Sequence, residues 1–286
     1  MVSHSAFAAD RRTLLSGLGA TALLSPFLAI ERAAASVAGA DPRQRAERGH
    51  AALAAVPGIT IRGSEKVSML LYPGFTALDL VGPHYFFACM IGANVELVTT
   101  EAGLEPVASD LGLAIAPTVT MANAHAAPDI MFVPGGTSGT VACMNRADVT
   151  GWIAERGARA RYTTSVCTGS LLLGKAGLLK GKRATSHWSV RDLLPLFGAT
   201  PAEERVVSDG RIVTGAGVSA GLDFGITLLA ALRGRPYAEA VMLQCEYAPE
   251  PPFPGGTVAS TAPALAEPLS DIFAPFVAKA QAAATS

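Results

Sequence analysis

The sequence predicts an α/β domain with a mostly parallel sheet and helices on both faces. Three observations carry this. Continuous apolar runs such as VSMLLY (67–72) and DIMFV (129–133) read as strands buried on both sides. Helical patterns alternate with these runs. Turn signals close the runs, Pro73-Gly74 after the first and Pro134-Gly135-Gly136 after the second. The chain has 286 residues, half of them hydrophobic and 16% charged, enough for one large core. A formal net charge of −1 without a basic cluster argues against nucleic-acid binding.

The N-terminal 40 residues stand apart. Arg11 and Arg12 precede a modestly apolar run (14–30), and small residues follow (33–35 and 38–40). That order resembles a twin-arginine export signal and sets the expectation of a periplasmic protein. An uncleaved anchor and a buried helix are the alternatives, and Pro26 and Glu31-Arg32 speak against a stable span. Residues 41–65 read as a linker with one short helix, and residues 66–256 as the domain proper.

Within the domain, 67–72 is the first strand. The segment 77–90 is helical, with Pro83 suited to a first helical turn. NVELVTT (94–100) is a second strand, and LAIAPTVTM (113–121) a β-like stretch that Pro117 bends or confines to an edge. A buried strand at 129–133 precedes a helix over about 147–158. A strand at 161–166 leads directly into a helical pattern over 168–179. The segment 187–198 is amphipathic and stops at Gly198. A hairpin over 205–215 turns at Asp209-Gly210. Helical stretches follow at 220–234 and 237–247. Residues 257–286 form an appended tail helix.

Ligands of open α/β sheets bind beyond the carboxyl ends of the strands. Three such ends carry chemistry here: YPGFTALDLVGP with Asp79, PGGTSG with Gly135 and Gly136, and the Cys167 that closes TTSV. A thiol at a helix N-terminus is expected to have a lowered pKa. A sharp strand-to-helix turn would also lift Cys167 out of the sheet. The N–H of Thr168, with that of Gly135 or Gly136, would form an oxyanion-type hole. Asp79 would act as acid or base. A buried cysteine serves equally as core packing, and a carboxylate in such a turn equally as a helix cap. His187, in RATSHW, could approach the thiol or be a structural residue. Four cysteines without a C-x-x-C pair, and histidines without metal spacing, predict neither a disulfide framework nor a metal site.

PGFTALDLVGP, VPGG, TSVCTGSLLLGKAGLLKGKRATSHW, ERVVSDGRIVTGAGVSAGLDF and EYAPEPPF together resemble the ThiJ/PfpI superfamily, which is like the class I glutamine amidotransferases. The resemblance covers about residues 66–254. Many members place His after the nucleophilic Cys and Glu early in the chain. The Thr168 and Asp79 found here look like the isonitrile hydratases within that superfamily. Ala216 departs from the expected glycine in TGAGVSAG. The resemblance implies a flavodoxin-like three-layer sandwich, a homodimer and no cofactor. It implies Cys167 as nucleophile, Asp79 as acid and base, Thr168 as a hydrogen-bonding residue beside them, and a small isonitrile as substrate. Rival readings are another enzyme of this fold, a ligand-binding module like the sensor half of AraC-type regulators, and a cysteine-based redox or stress protein.

Overall fold

The computed structural model describes residues 41–286. The export signal expected in residues 1–40 lies outside them. The chain divides into two units, residues 1–56 and 57–286. In the first, helix α1 (Pro42–Ala54) starts at Pro42, and Asp41 caps it by accepting the Arg43 N–H. The linker expected over 41–65 therefore holds a helix of 13 residues. Residues 57–65 belong to the second unit. There Glu65 makes an ion pair with the buried Arg233, which also donates to the carbonyls of Thr60 and Ile61.

The second unit is built on a seven-stranded sheet. Its strands are β1 (Lys66–Leu71), β2 (Asn94–Thr99), β5 (Val119–Thr120), β6 (Ile130–Val133), β7 (Tyr162–Val166), β10 (Val206–Asp209) and β11 (Ile212–Gly215). Two small pairs lie outside it, β3 (Val107–Ala108) with β4 (Ala114–Ile115), and β8 (Arg183–Ala184) with β9 (Thr200–Pro201). The order across the sheet is β10-β11-β7-β6-β1-β2-β5, and every pair is parallel except the β10–β11 hairpin. Pro117 splits the stretch expected over 113–121. The part before it pairs with β3, and the part after it becomes the sheet edge beside β2.

Helices cover both faces. On one side lie α2 (Ala77–Ala88), α6 (Ala220–Arg233) and α7 (Arg235–Gln244); on the other lie α3 (Ser138–Met144), α4 (Ala147–Arg159) and α5 (Gly169–Lys175). On the first face Phe87 of α2, Phe132 of β6 and Phe224 of α6 meet edge-on or tilted, with centroids 5.6–6.4 Å apart. This fixes α2 over the middle of the sheet. Pro83 is the seventh residue of α2, not in its first turn, because the helix already starts after Thr76. The helix expected over 168–179 ends at Lys175, before Gly177 at φ 76°. The amphipathic stretch before Gly198 is a 3-10 helix, Arg191–Phe197, containing Pro195 and closed by Gly198 at φ 71°.

The C-terminal segment is more than an appendage. Helix α8 (Pro263–Thr285) lies on α3 and the 3-10 helix, and buries Ala280 and Ala283. Lys175 holds its end through Nζ to the Ala283 carbonyl at 2.8 Å. Among the described residues, no helix is long and apolar enough to cross a membrane.

Candidate active site

The crossovers from β1 and from β6 leave in opposite directions, so the crevice of this sheet opens between these two neighbouring strands. Register aligns the strand ends around it. Val133 stands opposite Ser165, and Val166 opposite Gly215. The loop after β1 and the turn after β6 are joined by the Thr76 N–H donating to the Gly135 carbonyl at 2.8 Å. Asp79, Gly135, Cys167 and Thr168 thus meet at one point. A side chain at Gly135 would begin 2.6 Å from Asp79 Oδ2, 2.7 Å from Cys167 Cβ and 2.7 Å from Thr168 N. Only a glycine permits that convergence.

Cys167 sits at φ 58°, left-handed backbone that costs a non-glycine residue about 1–2 kcal/mol. Its surroundings hold it there. Its N–H donates to the Gly215 carbonyl at 3.0 Å, and its carbonyl accepts from Ser186 Oγ at 3.1 Å and Ser170 Oγ at 3.3 Å. The next turn passes directly under the neighbouring loop, since a Cβ on Gly169 would collide with the Val133 carbonyl oxygen. Sequence reasoning did not single out Ser170 or Ser186, because neither position carries a spacing signal.

Asp79 is fully buried in the first turn of α2. It does not cap its own helix. Its Oδ2 accepts the Gly135 N–H at 2.9 Å, and its Oδ1 has no partner in regular hydrogen-bond geometry. Burial raises its pKa to about 7, against the Gly135 N–H and the Cys167 thiol, which favour the carboxylate. The charge of Asp110 adds to the rise.

The thiol departs from expectation. Burial, and then the charge of Asp79, push Cys167 well above the usual thiol range; the Thr168 N–H works the other way and is outweighed. A single amide at the start of a helix does not replace lost water beside a carboxylate. The resting pair is therefore a neutral thiol facing a carboxyl that titrates near neutrality.

Thr168 turns its hydroxyl away from the thiol. Oγ1 donates to the Gly136 carbonyl at 2.6 Å and accepts the Gly136 N–H at 2.9 Å. Thr140 Oγ1 lies 2.9 Å away, and Tyr72 donates to the Pro134 carbonyl at 2.8 Å. The amides of Gly135 and Gly136, expected in an oxyanion hole, are thus engaged by Asp79 and Thr168. Only the Thr168 N–H acts on the sulfur.

His187 is separate from this cluster. Nδ1 contacts Ser189 Oγ at 2.8 Å, and the ring lies against Trp188 and Phe273, centroids 5.4 Å away in each case. Burial lowers its pKa to about 4, so the imidazole is neutral near pH 7. Among the described residues there is no cluster of His, Cys, Asp and Glu able to hold a metal. All four cysteines are free thiols.

Known proteins share this chain's sequence and fold. Residues 65–231 match the model of the DJ-1/PfpI family. The chain is 46% identical over 192 residues to an isonitrile hydratase of Pseudomonas putida, spanning 67% of this chain and 82% of that protein. It is 44% identical to a crystallised THiJ/PfpI family protein from Pseudomonas syringae, with a TM-score of 0.78 over 88% of this chain and 98% of the other. An oxidized DJ-1 from Toxoplasma gondii, 23% identical, shares the fold with a TM-score of 0.58 over 65% of this chain and 100% of the other. With its mostly parallel sheet, flavodoxin-like layers and shared sequence, the chain belongs to the DJ-1/PfpI family.

Proposed function

We propose that the protein is an isonitrile hydratase-like enzyme that converts R–N≡C and water into R–NH–CHO, with Cys167 as nucleophile and Asp79 as acid and base. The observation that carries the reading is the buried Asp79 carboxyl beside the Cys167 thiol, raised to about 7 and with one oxygen that accepts no hydrogen bond of regular geometry. The similarity to the Pseudomonas putida isonitrile hydratase supports it. Cys167 is only 4% exposed, which favours a narrow, linear head such as N≡C over a branched acyl group.

An isonitrile carbon becomes electrophilic when it gains a proton, so the nucleophile needs an acid at its side. Asp79 as carboxylate takes the thiol proton and passes it to the terminal carbon as Sγ bonds that carbon. The product is a thioimidate, R–N=CH–S. Water then adds to the same carbon, while Asp79 takes a water proton and hands it to nitrogen. The C–S bond of R–NH–CH(OH)–S breaks, the hydroxyl proton returns through Asp79 to sulfur, and the formamide leaves. The Thr168 N–H steadies the sulfur, and the Thr168 hydroxyl holds Gly136. The reading includes export, argued from the signal-like pattern in residues 1–40, and a homodimer, implied by the family resemblance. Cell fractionation and analytical ultracentrifugation test them.

Turnover of cyclohexyl isocyanide to its formamide, lost in both Cys167→Ala and Asp79→Asn, is the expected result. Turnover that survives in Cys167→Ala overturns the covalent route. No turnover in the wild type favours a binding or redox protein of the same fold.

A further inference from the structure

A buried chain of hydrogen bonds ends on Asp79. Tyr72, at the end of β1 and fully buried, donates its hydroxyl to the Pro134 carbonyl at 2.8 Å. That carbonyl and the Gly135 N–H are the two ends of one peptide group, and the N–H donates to Asp79 Oδ2 at 2.9 Å. A donor on the oxygen of a peptide polarises its N–H, so bonds in such a chain strengthen one another. Thr140, on α3, places its hydroxyl 3.1 Å from Tyr72 Oη, 2.9 Å from the Gly136 carbonyl and 2.9 Å from Thr168 Oγ1. The carbonyls of Pro134 and Gly136 are therefore held by buried hydroxyls, with Thr140 lying against Tyr72 Oη.

We propose that Tyr72 and Thr140 are positioning residues for the reaction: Tyr72, with the Thr140 hydroxyl against its Oη, holds and polarises through the Pro134–Gly135 peptide the N–H that keeps Asp79 able to give up its proton. Neither side chain touches Cys167 or Asp79 by a hydrogen bond. The proposal rests on the reading of Asp79 as the acid–base group.

The charges around Asp79 are few. Facing it are the Cys167 thiol from the end of β7 and Asp110 from the β3–β4 connection. The Tyr72 phenol is pushed well above its usual range by burial, so it stays a neutral donor. A change in the Asp79 titration after a Tyr72 substitution therefore reports the peptide link and not a lost charge.

The test reads Asp79 directly. The infrared carbonyl band of its protonated carboxyl, assigned by its absence in Asp79→Asn, is followed against pH in full-length protein. Tyr72→Phe is expected to move the midpoint up by about half a pH unit, equivalent to a roughly threefold weaker preference for the carboxylate. Thr140→Val is expected to move it the same way, and Thr140→Ser to restore it. Thr164→Val removes a comparable buried hydroxyl, which bonds the Met131 carbonyl at 3.0 Å, and is expected to leave the midpoint unchanged. An unmoved midpoint in folded Tyr72→Phe overturns the proposal, as does an equal shift in Thr164→Val. Should Tyr72→Phe not fold, the Thr140 pair decides in the same way. The readout needs no isonitrile turnover, so it stands or falls apart from the hydratase reading.

Discussion

The Gly135 N–H donates to Asp79 Oδ2 at 2.9 Å, while the backbone of Gly135 lies against Cys167. One glycine thus sets the separation of the two reacting groups. Gly135→Ala would drive a methyl into Asp79 Oδ2, Cys167 Cβ and the Thr168 amide, none of which is the free end of a flexible chain. We expect about 1–3 kcal/mol of destabilisation in thermal unfolding. We expect a loss of roughly 100-fold or more in kcat/KM for cyclohexyl isocyanide. Wild-type kinetics in Gly135→Ala would show that this contact does not set the site.

The pH dependence of turnover follows from the pair. Below about 7 Asp79 is protonated and cannot take the thiol proton; above it the carboxylate faces a neutral thiol. The expected kcat/KM rises with pH through an apparent pKa near 7 that belongs to the pair, and falls again only in strong alkali. A pH–rate profile flat between about pH 6 and 8 would contradict this.

Stability carries the opposite sign. Asp79 has a higher pKa folded than its ordinary 3.8, so its contribution to stability is present below about pH 4 and is lost as pH rises through about 7. Asp79→Asn removes that loss. The variant should gain on the wild type as pH rises from about 4 to 8, by up to about 4 kcal/mol. Urea unfolding at a series of pH values measures it, and a gap that narrows with pH would refute it.

The left-handed backbone of Cys167 predicts an order among inactive variants. Cys167→Gly relieves the strain that Cys167→Ala keeps, and should be the more stable by about 1 kcal/mol. Differential scanning calorimetry of the two variants decides it.

Arg233 is fully buried, paired with Glu65 and bonded to the carbonyls of Thr60, Ile61 and Ile91. Removing it leaves Glu65 without its cation. Arg233→Ala should cost about 3–5 kcal/mol in denaturant unfolding. A chain beginning at residue 66, which lacks Glu65, Thr60 and Ile61, should resemble Arg233→Ala.

Much of the site is legible in the sequence because the ends of parallel strands share an edge. Asp79, Gly135 and Cys167 each follow a buried strand, and placing them together needs only the sheet. The role of Thr168 is not legible in the same way. Its position beside Cys167 suggests a hydroxyl near the substrate, yet the hydroxyl turns to Gly136 because the Pro134–Gly136 turn packs over the start of α5. Tyr72 and Thr140 carry no motif, and what links them is a fold contact between β1, α3 and the turn after β6. The tie between Glu65 and the domain is not legible either, because its partner Arg233 lies 168 residues away.

The sequence by itself determined the α/β layering, the strand ends that carry chemistry and the family, because periodicity, turn residues and short motifs are local properties of the chain. Only the tertiary structure decided the protonation of the pair. A helix N-terminus acting alone favours a thiolate, and burial beside Asp79 reverses that sign. Desolvation depends on what surrounds a group from distant parts of the chain, and no neighbouring residue in sequence records it.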